Sequence, residues 1–345
     1  MTLQTLFGIE LPIIQAPMAG VQGSELALAV SKAGGLGSLP CAMLSQDALR
    51  AELETLTAGT AKPFNVNFFA HQPPEPDDAR EQVWRDALAP YYSEYGIDPE
   101  SVPAGAGRTP FNEDAADLVE RYKPAVVSFH FGLPDPALLA RVKATGAKIV
   151  STATTVEEAI WLDERGVDAI IAQGLEAGGH RGIFLTRDLS TQMGTLALLP
   201  QVIRAVGCPV IAAGGIADAA GIRAAMELGA AGVQLGTAFM LCPEATTRPI
   251  HREALKSPQA RHTALTNLFS GGPARGIVNR VMRELGPISS VAPAFPLATS
   301  AIAPLRAKAE AAGSGDFSPL WSGQNASGCR EIPAGELVRQ LAAGV

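Results

Sequence analysis

The sequence predicts an α/β fold, a TIM (β/α)8 barrel, on three observations. Eight short β-rich runs alternate with segments of helical period, as a parallel sheet with external helices requires. The repeat fills about 240 residues, close to the ~250 usual for such barrels. The rival open, doubly wound sheet would carry GxGxxG after its first strand, whereas the first run here ends in "QAPMAG".

The predicted strands are "LPIIQAP" (11–17), "GLGSLP" (35–40), "PFNVNFF" (63–69), "AVVSFH" (125–130), "AKIVST" (147–152), "DAIIAQ" (168–173), "PVIAAG" (209–214) and "GVQLGT" (232–237). Helical patterns fall between nearly all of them, at 24–32, 46–56, 112–121, 135–144, 155–165, 191–206 and 218–228. Thr154 or Thr155 before "VEEAI", and Asp218 before "AAGIRAAM", are the residue types that cap helix N-termini. Two stretches exceed the repeat. One is an insertion after the third strand, 70–110, proline-rich at both ends around an aromatic helical centre; the other is the chain beyond 240. The expected organisation is therefore a barrel over 1–240 that includes the insertion, and a helical and loop extension over 241–345. Loops this long carry structure or function, so both are expected to cap the barrel mouth, the extension closing the barrel and forming part of a substrate lid.

Composition narrows the partners. The 345 residues are 47% hydrophobic, enough for one large core with a smaller lobe. With a net charge of −7 and no consecutive basic block, neither nucleic acid nor an anionic membrane is expected as partner. A small ligand is. Cys41, Cys208, Cys242 and Cys329 stand far apart, which indicates neither a zinc site nor a disulfide framework. No basic n-region opens the chain and no run of eighteen apolar residues occurs, so a soluble, cytoplasmic protein is expected. Monomer and homodimer both stay open.

In a barrel the chemistry lies at the C-terminal strand ends. The seventh strand ends at Gly214 and Gly215, the eighth at Gln234, Leu235, Gly236 and Thr237. One glycine pair can be a tight turn; two on adjacent strands favour backbone N–H groups drawn up to a phosphate. The other strand ends offer the backbone of Ala16, Pro17 and Met18, and the amides of Asn67 and Gln173. Amides both donate and accept, as the edge of an isoalloxazine demands, which points to flavin mononucleotide (FMN); each could instead bond its own loop. The sixth strand feeds "GLEAGGHRG", where Gly178 and Gly179 allow close backbone approach and His180 is the candidate base or hydrogen-bond donor to an anion. His130, ending the fourth strand, is a second candidate, or else packs inside the barrel. His71, His251 and His262 read as loop or surface residues, and Glu176 and Arg181 as an ion pair or a solvated flank. No metal-ligand spacing and no nucleophile elbow is present.

Together "QAPMAG", "NVNFF", "GLEAGGHRG" and "AAGGIADAAGIRAAMELGAAGVQLGTAFM" resemble the nitronate monooxygenase (2-nitropropane dioxygenase) family, and "PAFPLA", "PLR" and "LWSGQ" in the tail look like its class I branch. The resemblance implies FMN-dependent oxidation of alkyl nitronates by O2 to a carbonyl compound and nitrite, without NAD(P)H, with propionate 3-nitronate as substrate. It implies FMN contacts at Asn67, Gln173, Gly178, Gly215 and 234–237, and His180 as the catalytic histidine. The class I pattern also leads one to expect tyrosines near "PAFPLA", where this chain has Phe295; Tyr91, Tyr92 and Tyr95 of the insertion are the candidates to supply a hydroxyl from the other side. Two other functions compete. One is an NAD(P)H-dependent FMN quinone or enoyl-thioester reductase; the other is a flavin-free barrel binding a phosphorylated metabolite.

Overall fold

The computed structural model describes residues 2–75, 77–102 and 108–344. Within the predicted insertion, position 76 and the "PAGAG" stretch at 103–107 lie outside the described residues. In chain order the strands are β1 (Ile13–Gln15), β2 (Gly37–Pro40), β3 (Phe64–Phe69), β4 (Val126–His130), β5 (Lys148–Ala153), β6 (Ala169–Gln173), β7 (Gly179–His180), β8 (Val210–Ala213), β9 (Gly232–Leu235), β10 (Thr263–Thr266) and β11 (Ala274–Ile277).

Eight of these form one parallel sheet in the order β1-β9-β8-β6-β5-β4-β3-β2. The Ile14–Leu36 bridge joins its two edges: Leu36 N donates to Ile13 O at 2.9 Å and Gln15 N to Leu36 O at 3.0 Å. The fold is a TIM barrel. Every barrel strand lies within a predicted run or one residue of it, but β1 spans three residues where seven are expected. Pro12 and Pro17 flank it, and proline offers no N–H to a ladder.

Inside the barrel, Ile14, Leu36, Val126, Val150, Ile171 and Ile211 pack into an apolar layer. The helix Leu3–Phe7 plugs it from below with Leu3 and Phe7. That helix is absent from the sequence expectation, since five residues are too few to display a helical period. Nearer the mouth the interior turns polar: Asn65 and Asn67, two apart on one face of β3, both donate to Ser128 Oγ at 2.9 Å.

The helices outside begin at their predicted caps. Thr155 Oγ accepts from Glu158 N at 3.2 Å and Asp218 Oδ1 from Gly221 N at 2.8 Å, so Thr155 and not Thr154 is the cap. Helix Ser24–Lys32 lies so close to β2 that a Cβ on Gly37 would overlap the Ala27 backbone. The insertion helix Asp78–Glu94 packs on helix Ala298–Ala311 of the extension, building a second core from Trp84, Leu88, Tyr92, Ile302 and Leu305. Trp84 Nε1 and Tyr92 OH donate to the carbonyls of Ala298 and Ala301 at 3.2 and 2.6 Å. Insertion and extension thus fold against each other over the barrel. The extension also returns to the barrel wall. Helix Ala334–Leu341 packs on helices Ser24–Lys32 and Ala219–Glu227, with Leu337, Val338 and Leu341 in the main core and Glu244 accepting from Ala334 N at its start.

Gly37→Ala is expected to destabilise the protein by ~1–3 kcal/mol or more, since backbone cannot yield as a side chain would. Chemical denaturation of the two proteins checks this.

Candidate active site

Ala16, Pro17, Met18, Asn67, Gln173, Gly178, Gly179, Gly214, Gly215, Gln234, Leu235, Gly236 and Thr237 line one cavity at the barrel mouth, together with His130 and His180. The cavity encloses about 1370 Å³, its opening included. Its glycine walls are shaped by their backbones. Gly214 and Gly215, at φ 116° and 74°, turn the chain straight after β8, a conformation that side chains disfavour. Gly179, at φ 71°, has nothing within 4 Å of where a Cβ would stand, so its backbone faces open space.

The segment "GLEAGGHRG" is not a free loop. Gly179 and His180 form β7, pairing antiparallel with β11 of the extension in the small sheet β10-β11-β7. Arg181 N continues the contact, donating to Pro273 O at 2.8 Å. Arg181 and Glu176 depart from expectation: they form neither an ion pair with each other nor a solvated flank. The Arg181 side chain is fully buried. Its Nη2 donates to Gln173 O at 2.7 Å, Nη1 to Gly174 O at 2.6 Å and Nε to Gln192 Oε1 at 2.9 Å. Burial pushes its pKa down to about 10, leaving it charged at neutral pH. The Glu176 carboxylate accepts from Thr195 N and Oγ1 at 2.8 Å, closing the start of helix Thr195–Ala205, whose N-cap Gly194 has no side chain to do so.

With the loop pinned, its histidine is oriented. His180 Nε2 meets Ser270 Oγ at 2.8 Å, and no described residue hydrogen-bonds its Nδ1. The ring stands in an aromatic cage whose nearest members are Phe295 and Trp321, at 5.3 and 5.5 Å between centroids, with Phe69 and Phe131 beyond 6 Å. Burial, then the nearby charge of Arg108, holds its pKa well below the ordinary histidine value. His180 is a neutral imidazole at neutral pH. Phe131 adopts φ 69°, strain of the kind that collects at functional sites.

His130 has a different place. Its Nδ1 meets Thr152 Oγ1 of β5 at 3.2 Å and its Nε2 the His180 carbonyl at 3.1 Å, so both nitrogens are engaged, one with the barrel and the other with the loop. Gln173 is likewise engaged, donating to His180 O at 3.0 Å and accepting from Gly182 N at 2.8 Å. Asn67 gives its Nδ2 to Ser128; no described residue donates to its Oδ1.

Some expectations fail. Tyr91 OH donates to Glu284 and Tyr92 OH to the Ala301 carbonyl, in the second core, and neither these nor Tyr95 lines the cavity. His251 is neither loop nor surface, being buried in helix Pro249–Lys256 on Trp321 O; His71 lies in a loop, though buried on Arg108 O, and His262 is exposed, both as expected. Other site residues carried no sequence signal of their own. Ser270 is one serine among many, and Arg108 sits in the insertion. The tail segment "LWSGQN" lays Trp321, Gly323 and Asn325 over the mouth: Gly323 N donates to Thr237 Oγ1 and Asn325 Nδ2 to Gly215 O, each at 3.0 Å. A Cβ on Gly178 would overlap the Gly323 nitrogen. Among the described residues no cluster of histidine, cysteine and carboxylate fits a metal, and no helix is long and apolar enough to cross a membrane.

A TIM barrel with a neutral histidine oriented inside a capped, glycine-walled mouth defines an enzyme site. Comparison with known proteins supplies the rest. The family model described as nitronate monooxygenase matches residues 1–344, and the chain belongs to that family. It is 45% identical to the nitronate monooxygenase of Pseudomonas aeruginosa over 97% of this chain and 96% of that one. Among solved structures, nitroalkane oxidase from Streptomyces ansochromogenes shares 40% identity at a TM-score of 0.89, covering 99% and 96% of the two chains. FabK from Thermotoga maritima shares 28% identity at a TM-score of 0.74, covering 99% and 94%. The protein is an oxidoreductase.

The buried histidines set a pH dependence. Burial lowers the pKa of His130 and His251 to about 4 and depresses those of His71 and His180, so the unfolded chain binds protons that the folded one refuses. Their contribution is complete above the unfolded value of about 6.5 and is lost as pH falls towards the folded values. The denaturant midpoint is therefore expected to drop between pH 6.5 and 4, starting above the range in which carboxylates titrate. A midpoint constant from pH 7 to 5 contradicts this.

Proposed function

We propose that this chain is an FMN-dependent nitronate monooxygenase of class I type, oxidising alkyl nitronates, propionate 3-nitronate among them, with O2 to a carbonyl compound and nitrite, without NAD(P)H. The observation that carries the reading is His180: neutral, held at Nε2 by Ser270, its Nδ1 without a partner among the described residues.

The residues present fit FMN. The Gly214–Gly215 turn and the start of the turn Thr237–Phe239 follow the neighbouring strands β8 and β9, and their backbone N–H groups would hold the phosphate. Gly179 leaves room for a planar ring against its backbone, and Asn67 Oδ1 offers an acceptor. Gln173 and His130, spent on the His180 carbonyl, would support the ring's wall more than read its edge. FMN, when bound, would supply the redox chemistry between nitronate and O2.

The protein's part is proton handling, orientation and exclusion of water. Ser270 Oγ lies 3.4 Å from both the carbonyl and the N–H of Gly272. When the hydroxyl gives its proton to that carbonyl, it accepts from His180 Nε2–H, and the lone pair of the imidazole falls on Nδ1. A neutral nitroalkane would lose its α-proton to Nδ1. The imidazolium so formed would face the new anion, with the Phe69, Phe131, Phe295 and Trp321 rings keeping water away. A preformed nitronate needs no such transfer, and for it His180 acts by position and charge.

His180→Asn is expected to retain bound FMN and to lower turnover of neutral nitroethane by ~10²–10⁴-fold, the usual worth of a positioned base. The loss for ethylnitronate is expected to be much smaller. Unchanged turnover of nitroethane would rule out the base. The reading as a whole is tested by the visible spectrum of the purified protein and by anaerobic titration. Bleaching of the flavin by propionate 3-nitronate and not by NADPH is the expected result; bleaching by NADPH favours the reductase, and a protein that takes up no flavin favours the flavin-free barrel.

A further inference from the structure

The glycine turns after β8 and β9 give the cavity one anion-binding end. The structure places a second positive group across the mouth from them. In the closed sheet order β3 stands opposite β8, and the insertion that follows β3 brings Arg108 back into the cavity wall. Its guanidinium lies over the rings of Phe295 and Phe69, at 5.5 and 6.0 Å from their centroids, and its backbone carbonyl is held by His71 Nε2 at 3.1 Å. Among the described residues it has no carboxylate partner, and its Nη1 is buried with no hydrogen bond. The buried fork of Arg181 has acceptors for its donors; the half-buried guanidinium of Arg108 has π faces and open space. A buried, unanswered guanidinium N–H costs free energy that a ligand acceptor would recover.

We propose that Arg108 is a specificity-determining residue that binds a carboxylate on the tail of the substrate, so that the preferred substrates are nitronates carrying a second negative charge. This rests on the nitronate oxidase reading above. The guanidinium is on the far side from the phosphate position, and the histidine that receives the nitronate head already stands between Phe295 and Trp321. A tail carboxylate is the remaining anion. Arg108 and Phe69 also line a neighbouring cavity walled by Met43, Phe111 and Thr299, so the guanidinium stands where the two cavities meet, at the side of the site away from the glycine turns. The same charge disfavours protonation of His180, and a tail carboxylate would neutralise it as the proton is taken up.

The experiment uses the flavin-loaded protein, its Arg108→Gln variant and the charge-keeping Arg108→Lys variant. Steady-state kinetics compares propionate 3-nitronate with propyl-1-nitronate, which has the same length and no tail charge. The expected result is that the ratio of kcat/KM for the charged over the uncharged substrate falls at least tenfold in Arg108→Gln, through KM, and is partly restored in Arg108→Lys. An equal loss on both substrates would assign Arg108 to the nitronate head and overturn the proposal, as would an unchanged ratio. Calorimetric titration with succinate and with butyrate, which differ by one carboxylate, gives a second measure that needs no turnover. Wild type is expected to bind succinate at least tenfold tighter, and Arg108→Gln to lose that preference. If neither nitronate is oxidised but the succinate preference and its loss are seen, the nitronate reading fails while the anion site stands; equal affinity for the two acids in wild type overturns the site itself.

Discussion

The site depends on one buried cation. The Arg181 guanidinium is surrounded by neutral acceptors: two carbonyls at the end of β6 and the amide of Gln192. Burying such a group is expensive unless its donors are answered, and here a rigid fork of three charge-assisted hydrogen bonds answers them, with Glu158 and Glu176 near enough to favour the charge. In return the chain from Gln173 to Gly182 is folded back on itself. That fold-back presents the His180 carbonyl to Gln173 and His130, and so leaves the imidazole alone to face the cavity. Gln173, read from the sequence as a cofactor contact, His130, read as a second candidate base, and Arg181, read as a surface or ion-pair residue, are together the mounting of His180.

The mounting is shared between distant parts of the chain. β6 and β8 bring the loop and the glycine turn side by side, β11 pairs with Gly179 and His180 from across the extension, and the tail segment around Gly323 locks onto Thr237 and Gly178. The mouth is thus assembled by barrel and extension jointly, and the aromatic cage draws on both: Phe69 and Phe131 from strand ends, Phe295 and Trp321 from the extension. A neutral imidazole follows from this enclosure, since desolvation is the largest influence on its proton affinity.

Much of the barrel was legible in the sequence because alternating strand and helix periods are local signals. Thr155 and Asp218 stand as caps because their side chains bond three residues ahead. What the sequence withheld is long-range. β7 is two residues long and exists only because β11, nearly a hundred residues later, offers a partner. Helix Leu3–Phe7 is too short to show a period, and Ser270, Arg108 and Asn325 gain meaning only from what stands opposite them. Position at a strand end correctly drew His130, Gln173 and Asn67 to the mouth. It could not say how their hydrogen-bonding groups are shared between loop and cavity, which is a property of neighbours and not of spacing. The tyrosines show the converse, since their hydroxyls are absorbed by a second core that no periodicity announced.

Helix Ala334–Leu341 stands between the first and last helices of the barrel repeat, beside Ser24–Lys32 and Ala219–Glu227. The ring of helices is therefore completed by residues made a hundred positions after its final strand. During synthesis the eight strands emerge while the seam between the first and last helices is still bare, with Ala29 and Ala33, which face Gly335 of helix Ala334–Leu341, lacking their cover. Barrel wall and mouth cap thus draw on one and the same stretch of chain, which ties the shape of the cavity to the closure of the scaffold.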